Sequence, residues 1–183
     1  MSPRLLVAKI SFVSNSFASF SLGSIYMPAQ SGERKQYINV LKQYPEISMD
    51  IFAGDCNVIA NPALDHSLGN RTVADRDWPD FRKVMQTWSL TDLLRAQDGQ
   101  LKQFTHWQNT ENEVTVTRID YMFTSTAWVL MFSALEVHHC PYSDHKYLLT
   151  SMRLGETIYG KSYWKFNIFL TNNEDFVSAV KDL

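Results

Sequence analysis

The sequence predicts an α/β sandwich of mainly antiparallel strands in two sheets, flanked by helices. Three observations lead there: strand-like segments outnumber helical ones, amphipathic helical segments interrupt them, and several strand segments come as neighbours across short turns. The chain has 183 residues, 45% hydrophobic and 20% charged. A core of that size buries roughly 70% of the surface that the unfolded chain exposes, so no disulfide or structural metal is needed to hold it.

Leu5 to Phe12 and Phe17 to Tyr26 are apolar, aromatic and β-branched, and Ser14, Asn15 and Ser16 separate them. They read as two paired strands. Pro28 stops the second, and Glu33 to Tyr44 places Tyr37, Val40, Leu41 and Tyr44 at helical spacing before Pro45. Met49 to Ala53 is a short apolar run ending at Gly54, the profile of a buried strand with an abrupt turn. The polar stretch from Asn61 to Asp77 is expected to be a long surface loop.

Pro79 falls in the first turn of a second helix, whose Phe81, Val84, Met85 and Trp88 form a core-facing stripe. Asp92 and Arg95 read as a local charge pair at a helix end. Phe104 to Gln108 and Glu113 to Phe123 form a hairpin around Asn109 to Asn112, with Arg118 and Asp120 expected on the same side of its second arm. Ala134 to His139 and Lys146 to Leu154 flank the turn Pro141 to His145 as two further strands. After Gly155 the character changes, through Tyr163-Trp164-Lys165-Phe166 to a helix start near Asn173.

Cys56 and Cys140 lie far apart and show no metal-type spacing, which favours a reducing compartment. No run reaches the roughly 18 apolar residues of a membrane span, and Met1 to Gly23 lacks a charged segment followed by an unbroken apolar one. The expectation is a soluble, unsecreted protein of the nucleus or cytoplasm. The formal net charge is −2, but residues 50 to 152 carry eight Lys/Arg against thirteen Asp/Glu, a net of −5. Charge alone does not describe a nucleic-acid binder. An acidic segment that handles phosphate must do so through a bound cation.

Three clusters close predicted strands: Gly54-Asp55-Cys56-Asn57, Arg118-Ile119-Asp120-Tyr121 and Ser143-Asp144-His145. Singly each is an ordinary turn or strand end. Together they hold the inventory for phosphate ester cleavage: carboxylates for a hard divalent cation or a base, an amide donor to phosphate, and a histidine with a carboxylate partner. No Gly-rich phosphate loop with an adjoining Lys is present, which argues against P-loop nucleotide hydrolysis.

The order Tyr26-Met27-Pro28, helix, Asp50 to Asn57, Leu64-Asp65, Phe104-Thr105, Arg118 to Tyr121 and Ser143-Asp144-His145 resembles the endonuclease/exonuclease/phosphatase superfamily. Within it the similarity is greatest to the endonuclease domain of non-LTR retrotransposon polyproteins. Gly160 to Leu170 resembles the link that leads from that nuclease toward the reverse transcriptase. The resemblance implies a deoxyribonuclease-like fold, a Mg²⁺ or Mn²⁺ cofactor, and DNA as partner.

It also implies roles. Asp55 aligns or deprotonates the attacking water, and Asn57 binds the scissile phosphate. His145 contacts the phosphate while paired with Asp120, Asp144 lies at the metal, and Tyr26 and Thr105 support the phosphate. Cys56 stands where a large aromatic residue is usual, a packing change. The family also carries a first-strand Asn and a metal-binding Glu; here no Glu precedes Glu33, which falls in the helix after Tyr26, and Asn15 lies in a turn.

The expectation is therefore a domain incomplete at its N-terminus and weak or inactive, with residues 1–154 its later portion and 155–183 a linker toward a reverse transcriptase-like region. Rival readings are a phosphatase of the same superfamily and a non-catalytic retrotransposon remnant. His106 and Trp107, beside Thr105, read mainly as surface and core, with DNA contact the lesser alternative. Arg71 and Arg76 read as solvated loop residues, and the adjacent His138 and His139 as a poor ligand pair.

Overall fold

The computed structural model describes residues 4–11, 19–67, 75–109 and 114–153. The expectations for Asn15, Arg71 and the linker 155–183 lie outside the described residues. Strands β1 (Leu5–Ser11) and β2 (Ser19–Tyr26) pair antiparallel as expected, Leu5 opposite Ile25 and Ser11 opposite Ser19. Helix α1 (Ser31–Leu41) carries the chain across to β3 (Ile51–Asp55), which lies parallel to β2. That crossover gives the sheet its single parallel pairing among the described residues.

The polar stretch after β3 contains a short helix, α2 (Pro62–Asp65), before α3 (Trp78–Thr87). A three-residue strand β4 (Leu90–Asp92) and a short helix α4 (Leu93–Gln97) follow. Next come β5 (His106–Asn109), β6 (Val114–Thr117) and β7 (Asp120–Ser125), then a 3-10 turn at Thr126–Met131, and finally β8 (Glu136–His138) and β9 (Tyr147–Leu149). The central sheet has the order β1-β2-β3-β7-β4, and β5-β6 and β8-β9 are separate antiparallel pairs.

Alternation along the strands divides the sheet into two faces. Ile25, Phe52, Tyr121 and Phe123 point to one side, where Ile38 and Leu41 of α1 and Phe81, Val84 and Met85 of α3 cover them, with Trp88 just beyond α3. The expected α3 stripe is thus core. Phe20, Leu22, Ile51 and Met122 point to the other side, against Leu93 and Leu94 of α4, Phe132, Leu135 and Leu148 of β9. Register then dictates that Tyr26 and Asp55, four residues after Leu22 and Ile51, end their strands on this second face, and that Asp120, two residues before Met122, begins β7 there.

Three local expectations are corrected. Helix α1 ends at Leu41 and buries Arg34, Ile38 and Leu41, whereas Val40 and Tyr44 are exposed. The reason is long-range: Arg34 Nε donates to Asp77 Oδ2 at 2.9 Å, and its terminal nitrogen reaches Asp75, so a charged residue takes a core-facing position. The second hairpin arm breaks at Arg118-Ile119, where the chain leaves β6 and joins the central sheet as β7, so strand alternation does not extend from Arg118 to Asp120. Asp92 is not a partner of the Arg95 side chain. Its carboxylate caps α4 by accepting from the Leu94 and Arg95 backbone and binds Arg118, while the Arg95 guanidinium binds Asp65.

Candidate active site

Gly54 has φ 146°, and a Cβ there would lie 1.9 Å from the Ile25 carbonyl oxygen. Only glycine permits β2 and β3 to approach this closely beside Asp55. Two residues on, Asn57 adopts φ 50°, a left-handed conformation that Asn tolerates better than most residues. This bends its backbone N–H back to Asp55 Oδ1 at 2.9 Å, while Nδ2 donates to Asp55 Oδ2 at 2.9 Å and to the Met27 carbonyl at 2.8 Å. Both amide hydrogens of Asn57 are thus engaged, and its immediate effect is to lock the Asp55 carboxylate. Cys56 between them is fully buried, and burial pushes its thiol well up. It packs as core.

Asp120 is the direct cross-strand partner of Asp55, on the same face. Burial, and then the Asp120 charge, raise the Asp55 pKa from 3.8 to about 6 against the opposing hydrogen bonds from Asn57. Asp120 is itself fixed from behind: the buried Thr105 hydroxyl oxygen accepts from its backbone N–H at 3.1 Å and from that of Ile119 at 3.2 Å. Its Oδ2 lies 2.9 Å from His145 Nδ1. A carboxylate at Nδ1 selects the tautomer that leaves Nε2 for other work.

The segment carrying His145 is held against β5. His106 and His145 form an isolated antiparallel bridge, Trp107 N–H donates to the Asp144 carbonyl at 3.1 Å, and Lys146 N–H donates to the Thr105 carbonyl. Ser143 Oγ accepts from the His145 backbone N–H at 3.0 Å, which shapes the Ser-Asp-His turn. Ligand atoms of Asp55, Asp120 and His145 all lie within 4.8 Å of one another, and so do those of His106, Asp144 and His145. The three sequence clusters are therefore brought together, but Asp144 falls in the second group, beside His106, and not in the group that contains Asp55. Tyr26 stands opposite Asp55 across β2 and β3, largely exposed, with the Arg4 guanidinium 5.6 Å from its ring centroid.

Sequence reasoning missed what anchors this arrangement. Arg118 is buried, with Nε 2.9 Å from Asp65 Oδ1 and one terminal nitrogen 2.7 Å from Asp92 Oδ2. Arg95 also binds Asp65, and the Arg118 guanidinium lies 4.3 Å from the Tyr121 ring centroid. The Tyr121 hydroxyl donates to the Val58 carbonyl at 2.9 Å, with the Arg118 carbonyl 3.1 Å away, and accepts from Ala60 N–H. This network clamps the loop after β3 to the start of β7, so Asp55 and Asp120 leave a common support. The signal was present as Leu64-Asp65 and Arg118, but partners 53 residues apart follow no local spacing.

No family model matches the chain. It is 26% identical over 174 residues to the "Transposon TX1 uncharacterized 149 kDa protein" of Xenopus laevis, a match that covers 93% of this chain and 13% of that one. Among solved structures it resembles the endonuclease domain of TRAS1, a telomere-specific non-LTR retrotransposon, with TM-score 0.61 and 15% identity over 82% of this chain and 64% of that chain. A 3'-5' exonuclease from Neisseria meningitidis gives 0.63 and 15%, over 82% and 65%. The chain has the endonuclease/exonuclease fold.

An AP endonuclease of Leishmania major shares that fold too, with TM-score 0.57 and 19% identity over 82% and 54%. The chain thus spans less than two thirds of each of these proteins. The retrotransposon resemblance of the sequence holds at the level of fold and of its transposon relative. No helix among the described residues is long and apolar enough to cross a membrane.

Proposed function

We propose that the chain is a Mg²⁺- or Mn²⁺-dependent phosphodiesterase that nicks DNA inside the cell, within a retrotransposon polyprotein. In this reading residues 1–154 belong to the nuclease and residues 155–183 lead toward a reverse transcriptase region. The observation that carries it is the Asp55–Asp120 pair with His145 held at Asp120. The transposon relative and the nuclease names of the structures that share its fold support it.

The donor set fits a hard cation, since carboxylate oxygens of Asp55 and Asp120 converge within 4.8 Å. Asp55 and Asp120 would hold it, whereas Asp144 belongs to the donor group around His106. When bound, such an ion polarises a phosphoryl oxygen and offsets its growing charge. The chain's own groups do the rest. Asp55, whose carboxyl pKa burial and the Asp120 charge raise to about 6 in the metal-free chain, would align the attacking water. Asn57 holds that carboxylate in place and can exchange the Met27 carbonyl for a phosphate oxygen. Asp120 holds the His145 ring by Nδ1 and so leaves Nε2 to face the phosphate. Thr105 keeps Asp120 in register, and Tyr26 borders the site on the open side of Asp55.

Weak cation binding and slow nicking by the 183-residue chain are part of this reading; among the described residues no Glu joins Asp55, Asp120 and His145. The test is plasmid nicking in Mg²⁺ and in Mn²⁺. Slow nicking that EDTA abolishes, reduced about 100-fold or more in Asp55→Ala and His145→Ala, is expected. Nicking that persists in both variants overturns the assignment, and rapid turnover by the unsubstituted chain overturns the claim of weakness.

A further inference from the structure

His145 has a second neighbour that the proposed chemistry does not use. The His106 ring centroid lies 4.7 Å from that of His145, and His106 Nε2 is 3.5 Å from Asp144 Oδ2. A tetrahedral ion with bonds of about 2.1 Å spaces its donors about 3.4 Å apart, so the His106–Asp144 distance matches one tetrahedral edge. The remaining donor atoms lie within 4.8 Å, a gap that small side-chain rotations close. On the far side of the two rings, Asp120 Oδ2 stands at His145 Nδ1 and Thr117 Oγ1 lies 3.4 Å from His106 Nδ1. His106 thus turns Nε2 toward Asp144 with an oxygen at its other nitrogen, and Asp120 at His145 Nδ1 leaves Nε2 as the nitrogen His145 can offer an ion, the outer-sphere arrangement that orients metal-bound histidines.

The backbone presets the site. His106 and His145 are bridged, and the Asp144 carbonyl is bonded to Trp107 N–H, so all three donors come from two segments already joined. Two imidazoles and one carboxylate suit a borderline transition-metal ion better than Mg²⁺, which prefers oxygen. We infer that His106, Asp144 and His145 form a Zn²⁺-binding site with a fourth position open to solvent.

Coordination occupies His145 Nε2 and the Asp144 carboxylate together, so Zn²⁺ switches off phosphate handling. This consequence rests on the nuclease reading, whereas binding itself does not.

The test is calorimetric titration of the metal-free chain with Zn²⁺ alone at pH 7. One ion per chain is expected, with affinity about 10- to 100-fold weaker in His106→Ala and in Asp144→Asn, and unchanged in His138→Ala, whose ring pairs with Glu136 at the surface. The Asp144 side chain is 66% exposed, so Asp144→Asn keeps the fold and decides the matter if His106→Ala does not fold. No saturable binding by the unsubstituted chain, or equal affinity in both site variants, overturns the inference. In the Mg²⁺ nicking assay, Zn²⁺ should suppress the unsubstituted chain and spare His106→Ala. Zn²⁺ binding with no nicking in any metal would refute the nuclease reading and leave the site standing.

Discussion

Asp55 and Asp120 are paired directly across β3 and β7 on one face of the sheet, so two carboxylates share one partly buried space. The Asp55 pKa is raised from 3.8 to about 6, which means the folded chain holds that proton more tightly than the unfolded chain. The contribution of Asp55 to stability should therefore be largest below about pH 4, fall as pH rises toward about 6, and then level off. Discounted for partial exposure, the loss is about 1–2 kcal/mol. Urea melts in EDTA across that window check it, and Asp55→Asn should flatten the slope.

Asp120→Asn separates the two causes. Removing the neighbouring charge should lower the Asp55 pKa from about 6, but leave it above 3.8 because burial is the larger contribution. A carboxyl titration followed by NMR reads this directly. An Asp55 pKa unchanged by the substitution would contradict the pairing.

Arg118→Ala should destabilise the fold by about 3–5 kcal/mol, since it leaves Asp65, which is fully buried, and Asp92 without their shared cation. Urea midpoints measure the loss. A change below about 1 kcal/mol would show that Arg95 alone satisfies Asp65.

Gly54→Ala should be among the most damaging single-methyl changes in the chain. The added carbon meets the Ile25 carbonyl oxygen at 1.9 Å, in a backbone conformation with φ 146°. Backbone strain alone costs about 1–3 kcal/mol, and separating β2 from β3 adds to it. Thermal melting that matches the unsubstituted chain would refute this account.

Much of the fold was legible in local pattern. The paired strands before Tyr26, the buried strand ending at Gly54 and the stripe Phe81, Val84, Met85 and Trp88 all follow from periodicity and turn residues, because burial there is set by neighbours along the chain. The errors share one physical origin. Arg34, Arg95 and Arg118 each sit where spacing calls for a core residue or a local pair, and each is satisfied by a carboxylate 26 to 53 residues away. The break at Arg118-Ile119 escaped for a similar reason: alternation continues through the residues, but the hydrogen-bonding partner changes from β5 to β3. The site clusters were visible as motifs. That Asp144 sits beside His106 was not, since the bridge between His106 and His145 joins segments that only the fold brings together.

The Arg118 network also bears on how the chain folds. Its guanidinium cannot be seated until the segments around Asp65 and Asp92 have both arrived, closing loops of 53 and 26 residues. Loop-closure entropy must be spent before those contacts return anything. We expect this ionic cluster to assemble after the rate-limiting barrier, so that Arg118 substitutions speed unfolding more than they slow refolding in a chevron experiment. The support beneath Asp55 and Asp120 would then be the last part of the molecule to acquire its native form, and the hairpin β1-β2, whose contacts are local, among the first.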